Sequence, residues 1–217
     1  MFFEFVQRIA AERAVAILRA SDPTVIDPAL EAVLSAGFRL VEITLTTPLA
    51  LERLRVWAAR GQACIGAGSV LTVEQVRAAR ECGAQFLVSP VVDVAVIAEA
   101  AKLRVPMIPG ASTPTELWMA HRSGAPLQKL FPAPAGGPVF VRAVLAPMPF
   151  LRILPTNGVD ETNAADYLRA GAVAVGFARP LFDPDLMKAR RFDQIEERAR
   201  TLLASVLNPP PEGEGTR

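Results

Sequence analysis

Short apolar runs with strand-forming composition recur along the chain at a nearly constant interval. Eight such runs are present, at 14–18, 40–44, 63–67, 84–89, 105–109, 127–131, 152–156 and 172–176. Each run has the length of a buried strand, and each interval leaves room for one helix. Strands that alternate with helices pair in parallel, because a parallel return requires a crossover. The pattern therefore predicts an α/β fold built from eight strand–helix units.

Helix start signals fall in the intervals between the runs. Thr72 followed by Gln75, and Thr113 followed by Glu116, form the Thr-x-x-Gln/Glu pattern of a capping box. A side-chain oxygen at such a position accepts a hydrogen bond from the first turn, so each pattern predicts the start of a helix. Asp27-Pro28 predicts a further start, with aspartate as the cap and proline at the first helical position.

Helix ends and two terminal helices are also indicated by the residue pattern. A helix is expected to follow Asp160 and to end at Gly171, and another is expected over 192–207. Further helix ends are predicted at Gly37, Gly61, Gly83 and Gly124. A short N-terminal helix that closes the bottom of the fold is indicated by one apolar face, formed by Phe2, Phe5, Val6 and Ile9.

Eight strand–helix units can close into a barrel or lie open as a doubly wound sheet. An open sheet of this type usually carries a glycine-rich nucleotide loop after its first strand, whereas residues 16–20 read Ala-Ile-Leu-Arg-Ala. The prediction is therefore a (β/α)8 TIM barrel. No linker interrupts the series, so 1–207 is expected to form a single domain. The Pro/Gly/charge-rich residues 208–217 are expected to be a disordered tail.

Composition narrows the function classes. The chain has 217 residues, 51% of them hydrophobic, and its formal net charge of +1 gives no support to nucleic-acid or membrane-surface binding. No apolar run approaches the ~20 residues of a membrane span, and the N-terminus does not resemble a signal peptide. Cys64 and Cys82 lack the spacing of a zinc site, so no metal or other cofactor is expected. Two thiols without an export signal are typical of a reducing cytoplasm.

Two ionisable residues interrupt otherwise apolar strand patterns. Lys129 lies in the run 127–131, and Glu42 lies in the run 40–44. If both side chains point into the barrel, a lysine and a glutamate meet across it. Burial disfavours an ammonium, and a neutral amine attacks a carbonyl carbon to form a Schiff base. The carboxylate can then move protons, which is sufficient for aldol chemistry without a metal.

The strand patterns leave other interpretations of these residues open. Lys129 and Glu42 are equally compatible with a buried structural ion pair, and either side chain can instead face outward toward the helices. Two neighbouring features are interpreted without catalysis. His121 is expected to be a solvated or packing residue in a helix, and the Gly/Pro-rich segment 132–140 is expected to be a loop that shapes a substrate entrance.

Several motifs resemble, in the same order, those of the 2-keto-3-deoxy-6-phosphogluconate, 2-keto-3-deoxy-6-phosphogalactonate and 4-hydroxy-2-oxoglutarate aldolases. The resemblance runs from about Arg13 to Asp183. Each motif is weak alone, but together they indicate the family. The motifs are Ala16-Ile17-Leu18-Arg19, Ala36-Gly37-Phe38 with Val41-Glu42-Ile43-Thr44-Leu45, Ile65-Gly66-Ala67-Gly68-Ser69-Val70-Leu71, Ser89-Pro90, Ile108-Pro109-Gly110 with Ser112-Thr113-x-x-Glu116, and Lys129-Leu130-Phe131-Pro132.

The resemblance implies a cytoplasmic class I aldolase that releases pyruvate from a 2-keto acid and that assembles as a homotrimer. It implies Lys129 as the Schiff-base lysine, Glu42 as the proton carrier, and Arg19 with Ser69 as contacts of the substrate carboxylate. Thr46 occupies the position at which the gluconate-type enzymes have arginine. Arg19 is therefore expected to make more of the contacts with the substrate carboxylate. The other expected substrate contacts are Thr46, Gly68, Pro90, Gly110, Phe131, Thr156, Asn157, Gly158, Gly176, Ala178 and Arg179.

Departures from the family pattern concentrate where the family binds the distal phosphate. The segments 157–158 and 177–179 replace glycine-rich loops, and the loss of glycine restricts a phosphate site built from backbone N–H groups. Arg179 adds a guanidinium that binds phosphate, unless it turns outward and pairs with Asp183 or Asp185. The sequence therefore predicts a reduced preference for phosphorylated substrates.

Two further function classes stay open at this point. A catalytically inert barrel retained for binding or assembly would need neither Lys129 nor Glu42, and the presence of both argues against it. A phosphate-binding barrel isomerase or synthase needs no Schiff-base lysine. The covalent chemistry of Lys129 therefore separates the aldolase from both alternatives.

Overall fold

The computed structural model describes residues 2–208, and strands and helices alternate along this part of the chain. Each predicted run overlaps an observed strand, and the run at 105–109 continues into a second short strand beyond Pro109. The strands are β1 (Ala14–Leu18), β2 (Leu40–Thr44), β3 (Cys64–Gly68), β4 (Leu87–Val88), β5 (Met107–Ile108), β6 (Gly110–Ala111), β7 (Gln128–Leu130), β8 (Ile153–Pro155) and β9 (Val175–Phe177).

Helices fill the intervals between the strands, as predicted. They are α1 (Phe3–Glu12), α2 (Ile26–Ala36), α3 (Ala50–Arg60), α4 (Val73–Glu81), α5 (Val94–Lys102), α6 (Pro114–Arg122), α7 (Gly137–Leu145), α8 (Ala164–Arg169), α9 (Pro184–Lys188) and α10 (Phe192–Leu207). A short 3-10 turn, Pro23–Val25, precedes α2. Of the tail expected over 208–217, residues 209–217 lie outside the described part of the chain.

All strand pairs are parallel, which confirms the expectation from the strand–helix alternation. The strands form a six-stranded sheet in the order β5-β4-β3-β2-β1-β9 and a three-stranded sheet in the order β6-β7-β8. Among residues 2–208, one isolated β-bridge, Thr156 to Gly176, joins the two sheets. The architecture is thus a parallel sheet curled into a half-barrel, and the closed barrel prediction is confirmed only in part. Pro109 separates β5, which pairs with β4, from β6, which pairs with β7, and proline has no amide hydrogen to donate to a ladder.

Side chains alternate between two apolar clusters on the two faces of the curled sheet. Along β1, Val15 and Ile17 belong to an inner cluster, and Ala16 and Leu18 belong to an outer cluster that includes the helices. This is the period-two alternation of a strand that is buried on both faces. Ile9 of α1 packs in the inner cluster, so the N-terminal helix covers one end of it, as the sequence predicts.

The predicted capping boxes are present. Thr72 Oγ1 accepts a hydrogen bond of 3.2 Å from the Gln75 amide, and Thr113 Oγ1 accepts one of 3.3 Å from the Glu116 amide. In both boxes the side chain at the third helical position bonds back to the cap residue. The four glycines predicted as helix ends have positive φ angles, and so does Gly171.

Two predicted boundaries are wrong. The helix expected directly after Asp160 begins only at Ala164, because the Asp160 carboxylate bonds the Thr162 amide, at 2.9 Å, in a turn that precedes α8. The loop expected over 132–140 is shorter, since α7 already begins at Gly137. Pro138 at the start of this helix fits its geometry, because proline lacks only a hydrogen bond that the first turn does not make.

Asp27 does not cap a helix, contrary to the sequence prediction. It lies inside α2, and the preceding 3-10 turn is capped by Asp22, whose carboxylate accepts from the Thr24 amide at 2.8 Å. The Asp27 carboxylate instead accepts hydrogen bonds from Trp57 Nε1 at 2.9 Å and from Arg53 Nη1 at 3.0 Å. Asp27 therefore ties α2 to α3, with the buried Trp57 ring between the helices and the sheet.

We expect Asp27→Ala to lower the free energy of unfolding by about 1–3 kcal/mol, because the Trp57 N–H is left buried without an acceptor. Asp22→Ala removes an exposed cap and a 3.8 Å ion pair with Arg190 that solvent screens, so it should cost less than Asp27→Ala. Asp27→Asn keeps one acceptor oxygen and should fall between wild type and Asp27→Ala. Urea denaturation measures all three variants. A cost for Asp27→Ala no larger than that for Asp22→Ala would contradict the assigned role.

Candidate active site

Strand alternation places both Lys129 and Glu42 on the inner face of the sheet. In β7, Leu130 packs in the outer cluster, so Lys129 points inward. In β2, Val41 and Ile43 pack in the outer cluster, so Glu42 also points inward. The interpretation in which either side chain faces the helices is therefore excluded.

Lys129 and Glu42 form a close pair within the curled sheet. Lys129 Nζ lies 3.9 Å from Glu42 Oε2, and the two residues are only 7% and 2% exposed. Burial raises the pKa of the Glu42 carboxyl, and the positive charges of Lys129 and Arg19 offset part of this increase. An amine thus lies beside a carboxyl group that binds a proton more readily than an exposed glutamate does.

Two glycines expected to approach a ligand instead make room for protein atoms. A Cβ added to Gly68 would lie 1.8 Å from Glu42 Oε1, so the absence of a side chain at 68 accommodates the carboxylate. A Cβ added to Gly110 would lie 2.5 Å from the Pro90 carbonyl oxygen. Both glycines therefore act through packing around the site, and neither lines the cleft described next.

A cleft of about 500 Å³ opens beside the Lys129–Glu42 pair. Most of the residues predicted as substrate contacts lie together along its wall, although they come from six separate segments of the chain. The lining residues are Ile17, Arg19, Glu42, Ser69, Pro90, Lys129, Phe131, Thr156, Asn157, Ala178, Arg179, Phe182 and Pro184. Among the predicted contacts, those that do not line it are Thr46, Gly68, Gly110, Gly158 and Gly176.

Three lining residues were not predicted. Ile17 lies on the inner face of β1, two residues before Arg19. Residues two apart in a strand face the same side, so the sequence could have indicated Ile17 as a lining residue. Phe182 follows β9 in the loop that leads to α9, and Pro184 is the first residue of α9. Loops after the strands of such folds generally line the site, but no local pattern distinguishes these two residues from other loop positions.

One end of the cleft carries a positive charge and a hydroxyl. Arg19 Nη2 donates a hydrogen bond of 3.3 Å to Ser69 Oγ. Ser69 has a φ of 59°, which turns its side chain into the cleft directly after β3. Thr46 is exposed and bonds Thr44, with 3.1 Å between the two hydroxyl oxygens, so it stays outside the cleft lining.

The opposite end of the cleft is formed by Asn157, Ala178 and Arg179. Asn157 adopts a φ of 65°, the left-handed conformation that asparagine tolerates better than most residues. Arg179 is exposed at this end, and within residues 2–208 no ion pair joins it to Asp183 or Asp185. The Asp183 carboxylate instead caps α9. The outward pairing considered from the sequence is therefore not found.

Other ionisable residues lie away from the cleft. His121 packs against Trp118 and Phe150, with ring centroids 5.8 and 4.9 Å away. Cys64 is buried, and its burial raises the pKa of the thiol to about 11. Across residues 2–208, no group of three His, Cys, Asp or Glu side chains is placed to hold a metal ion. In the same part of the chain, none of the helices combines the length and apolar composition needed to cross a bilayer.

This arrangement is suited to covalent chemistry on a carbonyl compound that carries an acid group. A buried amine can attack a carbonyl carbon, and the neighbouring carboxyl can carry the protons. The guanidinium of Arg19 can hold a carboxylate through paired donors. The three groups line one cleft, which a purely structural ion pair would not require.

Comparison with known proteins agrees with this chemistry. Residues 6–198 match the model of the family described as KDPG and KHG aldolase. The KHG/KDPG aldolase of Escherichia coli strain K12 is 34% identical over 175 residues, which cover 80% of this chain and 82% of that protein. A probable 2-dehydro-3-deoxy-6-phosphogalactonate aldolase of Rhizobium meliloti is 35% identical, covering 88% of this chain and 90% of that protein.

A solved structure shows the same fold. It is the KDPG aldolase from Legionella pneumophila with pyruvate captured as a covalent carbinolamine intermediate. The two chains superpose with a TM-score of 0.84 at 26% sequence identity, covering 91% of this chain and 97% of the other.

Proposed function

The chain belongs to the KDPG and KHG aldolase family, which makes it an aldehyde-lyase, and we propose that Lys129 and Glu42 carry out its Schiff-base reaction. One observation carries the assignment of these residues: Lys129 Nζ lies 3.9 Å from Glu42 Oε2 at the wall of the cleft, with both side chains buried. A carbinolamine was captured in the Legionella pneumophila relative, and Lys129 is the lysine of this cleft that could form one.

The reaction begins with a 2-keto acid bound by its carboxylate to Arg19 and Ser69. The unprotonated amine of Lys129 attacks the C2 carbonyl carbon, and loss of water leaves an iminium. The C4 hydroxyl then gives its proton to the Glu42 carboxylate, the C3–C4 bond breaks, and its electron pair moves into the iminium to form an enamine. The aldehyde leaves, Glu42 returns the proton to C3, and water releases pyruvate from Lys129.

The distal group of the substrate is held differently from the keto acid. Arg179 is the cationic side chain at the far end of the cleft, and it is exposed to solvent, which screens its charge. Ala178 and Asn157 restrict the backbone more than glycine would. We infer that a phosphate gains little over a carboxylate at this end, so that short or unphosphorylated hydroxy-keto acids are also substrates.

We also propose that the described strands belong to one closed (β/α)8 domain over 1–207, which a crystal structure would test. Two features support closure: the Thr156–Gly176 bridge between β8 and β9, and the direct continuation of β5 into β6 through Pro109. The inert-barrel alternative is disfavoured, because a protein retained only for binding or assembly has no need of the buried Lys129–Glu42 pair.

The family resemblance further leads us to propose a cytoplasmic homotrimer. An exposed apolar cluster formed by Trp118, Met119 and Phe150 lies outside the cleft and supports contact between copies of the chain. Two free thiols, Cys64 and Cys82, agree with a reducing compartment. Light scattering of the purified chain measures the number of copies, and a monomer at all concentrations would contradict the trimer.

The covalent role of Lys129 is tested by trapping. Incubation with pyruvate and borohydride should add a reduced pyruvyl group to Lys129, because hydride reduces the iminium to a stable amine. Mass spectrometry of peptides locates the adduct. Lys102 and Lys188 are exposed and serve as internal controls. An adduct only on these lysines, or none at all, would show the mechanism to be wrong.

Glu42→Gln should fold normally and lose on the order of 10²–10⁴ in turnover, because glutamine keeps the shape of the side chain but accepts no proton. The wild-type enzyme should lose kcat as the pH falls through the Glu42 pKa, since only the carboxylate is a base. Burial raises this pKa, so the activity loss should lie above the range of an exposed glutamate. Steady-state kinetics against pH measure both effects. A folded Glu42→Gln enzyme with near-native turnover would contradict the role.

The distal site is tested by comparing kcat/KM for 2-keto-3-deoxy-6-phosphogluconate and 4-hydroxy-2-oxoglutarate. We expect the wild-type enzyme to prefer the phosphorylated substrate by less than about tenfold, because solvent screens the guanidinium of Arg179. Arg179→Ala should change this ratio only slightly, and Arg179→Lys, which keeps the charge, is the control. The inference fails if a strong preference for the phosphorylated substrate disappears in Arg179→Ala.

A further inference from the structure

Arg190 joins two segments of the chain that both border the cleft. Its guanidinium donates a hydrogen bond to Thr24 Oγ1, and Arg190 Nη2 lies 3.8 Å from Asp22 Oδ2. Asp22 and Thr24 follow β1 in the loop that begins with Arg19, whereas Arg190 follows α9. The contact therefore connects positions that are 166 residues apart in the sequence.

The segment that carries Arg190 is packed against the rest of the fold. It runs from Ala178 at the cleft wall through α9 to Arg190, and Leu181 within it is fully buried. Arg198 of α10 donates a further hydrogen bond of 2.8 Å to the Pro180 carbonyl. Arg190 thus extends from a part of the chain whose position is fixed by burial and by hydrogen bonding.

The loop on the other side of this contact is mostly exposed. Four of the residues in 19–24 contact solvent. On the side of β2, the Ala20 amide donates a hydrogen bond of 3.2 Å to the hydroxyl of the buried Thr47. On the side of β9, Arg190 holds the loop, and β1 lies between β2 and β9 in the sheet. The backbone at Arg19 is therefore held from two sides.

Building on the proposed function, in which Arg19 binds the substrate carboxylate, we propose that Arg190 is a positioning residue that holds the loop of Arg19 in the geometry for this binding. A guanidinium binds a carboxylate best through two parallel hydrogen bonds, so both its position and its angle matter. Because Arg19 is exposed, its direction depends on the loop backbone and on its hydrogen bond to Ser69.

Arg190 also lies beside a carboxylate that would otherwise compete with the substrate. Hydrogen bonds from Thr24 and, to a smaller extent, the charge of Arg190 hold the pKa of Asp22 below its usual value, so Asp22 is ionised at neutral pH. An unpaired carboxylate in the same loop would attract the Arg19 guanidinium. With Arg190 beside Asp22, the guanidinium of Arg19 is left for the substrate.

The stability of the fold does not require arginine at this position. An exposed ion pair contributes little to stability. Arg190 has a φ of 55°, and the amides of Arg190 and Arg191 donate to the carbonyls of Met187 and Leu186 at 3.2 and 2.9 Å. Glycine is the usual residue at this place after a helix, and α2, α4, α6 and α8 end on one with the same pair of hydrogen bonds. Arg190→Gly therefore removes the side chain and suits the backbone.

The chain offers a matched control in Arg104→Gly. Arg104 follows α5 with a φ of 56°, and the amides of Arg104 and Val105 make the same pair of hydrogen bonds. It precedes β5, so it lies at the amino ends of the strands, opposite the cleft. Both substitutions thus remove an exposed arginine from the same backbone conformation, but only Arg190→Gly breaks a contact with the loop of Arg19.

The test follows deuterium exchange of the pyruvate methyl group by NMR against pyruvate concentration, because the carboxylate is the only charged group of pyruvate. The half-saturating concentration should rise about three- to fivefold in Arg190→Gly, which is the size of effect that one exposed ion pair can have, while the maximal rate changes by less than about twofold. Arg104→Gly should match wild type. Arg190→Lys, which keeps a charge beside Asp22, should recover part of the binding.

A double-mutant cycle shows whether Arg190 acts through Arg19. Arg19→Ala should itself raise the half-saturating pyruvate concentration, and adding Arg190→Gly to it should raise this concentration no further. Residues that act through one another are not additive, whereas independent residues are.

The inference is overturned if Arg190→Gly binds pyruvate as Arg104→Gly does, or if Arg190→Gly weakens binding equally in the Arg19→Ala background. A lower urea midpoint for Arg190→Gly with an unchanged half-saturating concentration would also overturn it, since Arg190 would then serve the fold alone. If Arg19→Ala leaves pyruvate binding unchanged, or if wild type exchanges no methyl protons, the proposed function itself is refuted and the inference with it.

Discussion

The burial of one amine beside one carboxyl group inside the curve of a parallel sheet is the constraint on which the rest of this structure depends. Lys129 and Glu42 come from strands on different parts of the sheet, and an uncompensated charge at either position would be strongly unfavourable. The two groups compensate each other, while the apolar surroundings raise the pKa of the Glu42 carboxyl. Burial of these two groups lowers the stability of the fold. It also places a carboxyl group with a raised pKa next to the amine, which favours proton transfer between them.

Glycines near this pair leave the space that neighbouring polar side chains occupy. Gly68 has no side chain where the Glu42 carboxylate lies, and Gly176 has none where the Thr156 hydroxyl lies. Substitution at either glycine would push a polar group out of its position even if the backbone were unchanged. The glycines near the site thus leave space for side chains of the protein, and the expected backbone approach of Gly68 to a ligand stays a prediction.

The cleft has two ends with different physical character. At one end, Lys129 and Glu42 are buried, and Arg19, which is exposed, donates a hydrogen bond to Ser69. At the other end, Arg179 is exposed and the described residues supply no ion pair for it with Asp183 or Asp185. Burial thus fixes the amine and the carboxyl group, whereas the guanidinium at each end lies in contact with solvent.

The sequence by itself determined the strand–helix alternation, the parallel pairing and the capping boxes, and it identified Lys129 and Glu42 as strand residues whose side chains could face inward or outward. These features depend on local periodicity, which a linear pattern records directly. Tertiary structure alone decided the partners of Asp27, the packing role of Gly68, the position of Arg179 and the contacts of Arg190. Each of these depends on which side chains from distant segments meet in space, and chain order does not encode such distances.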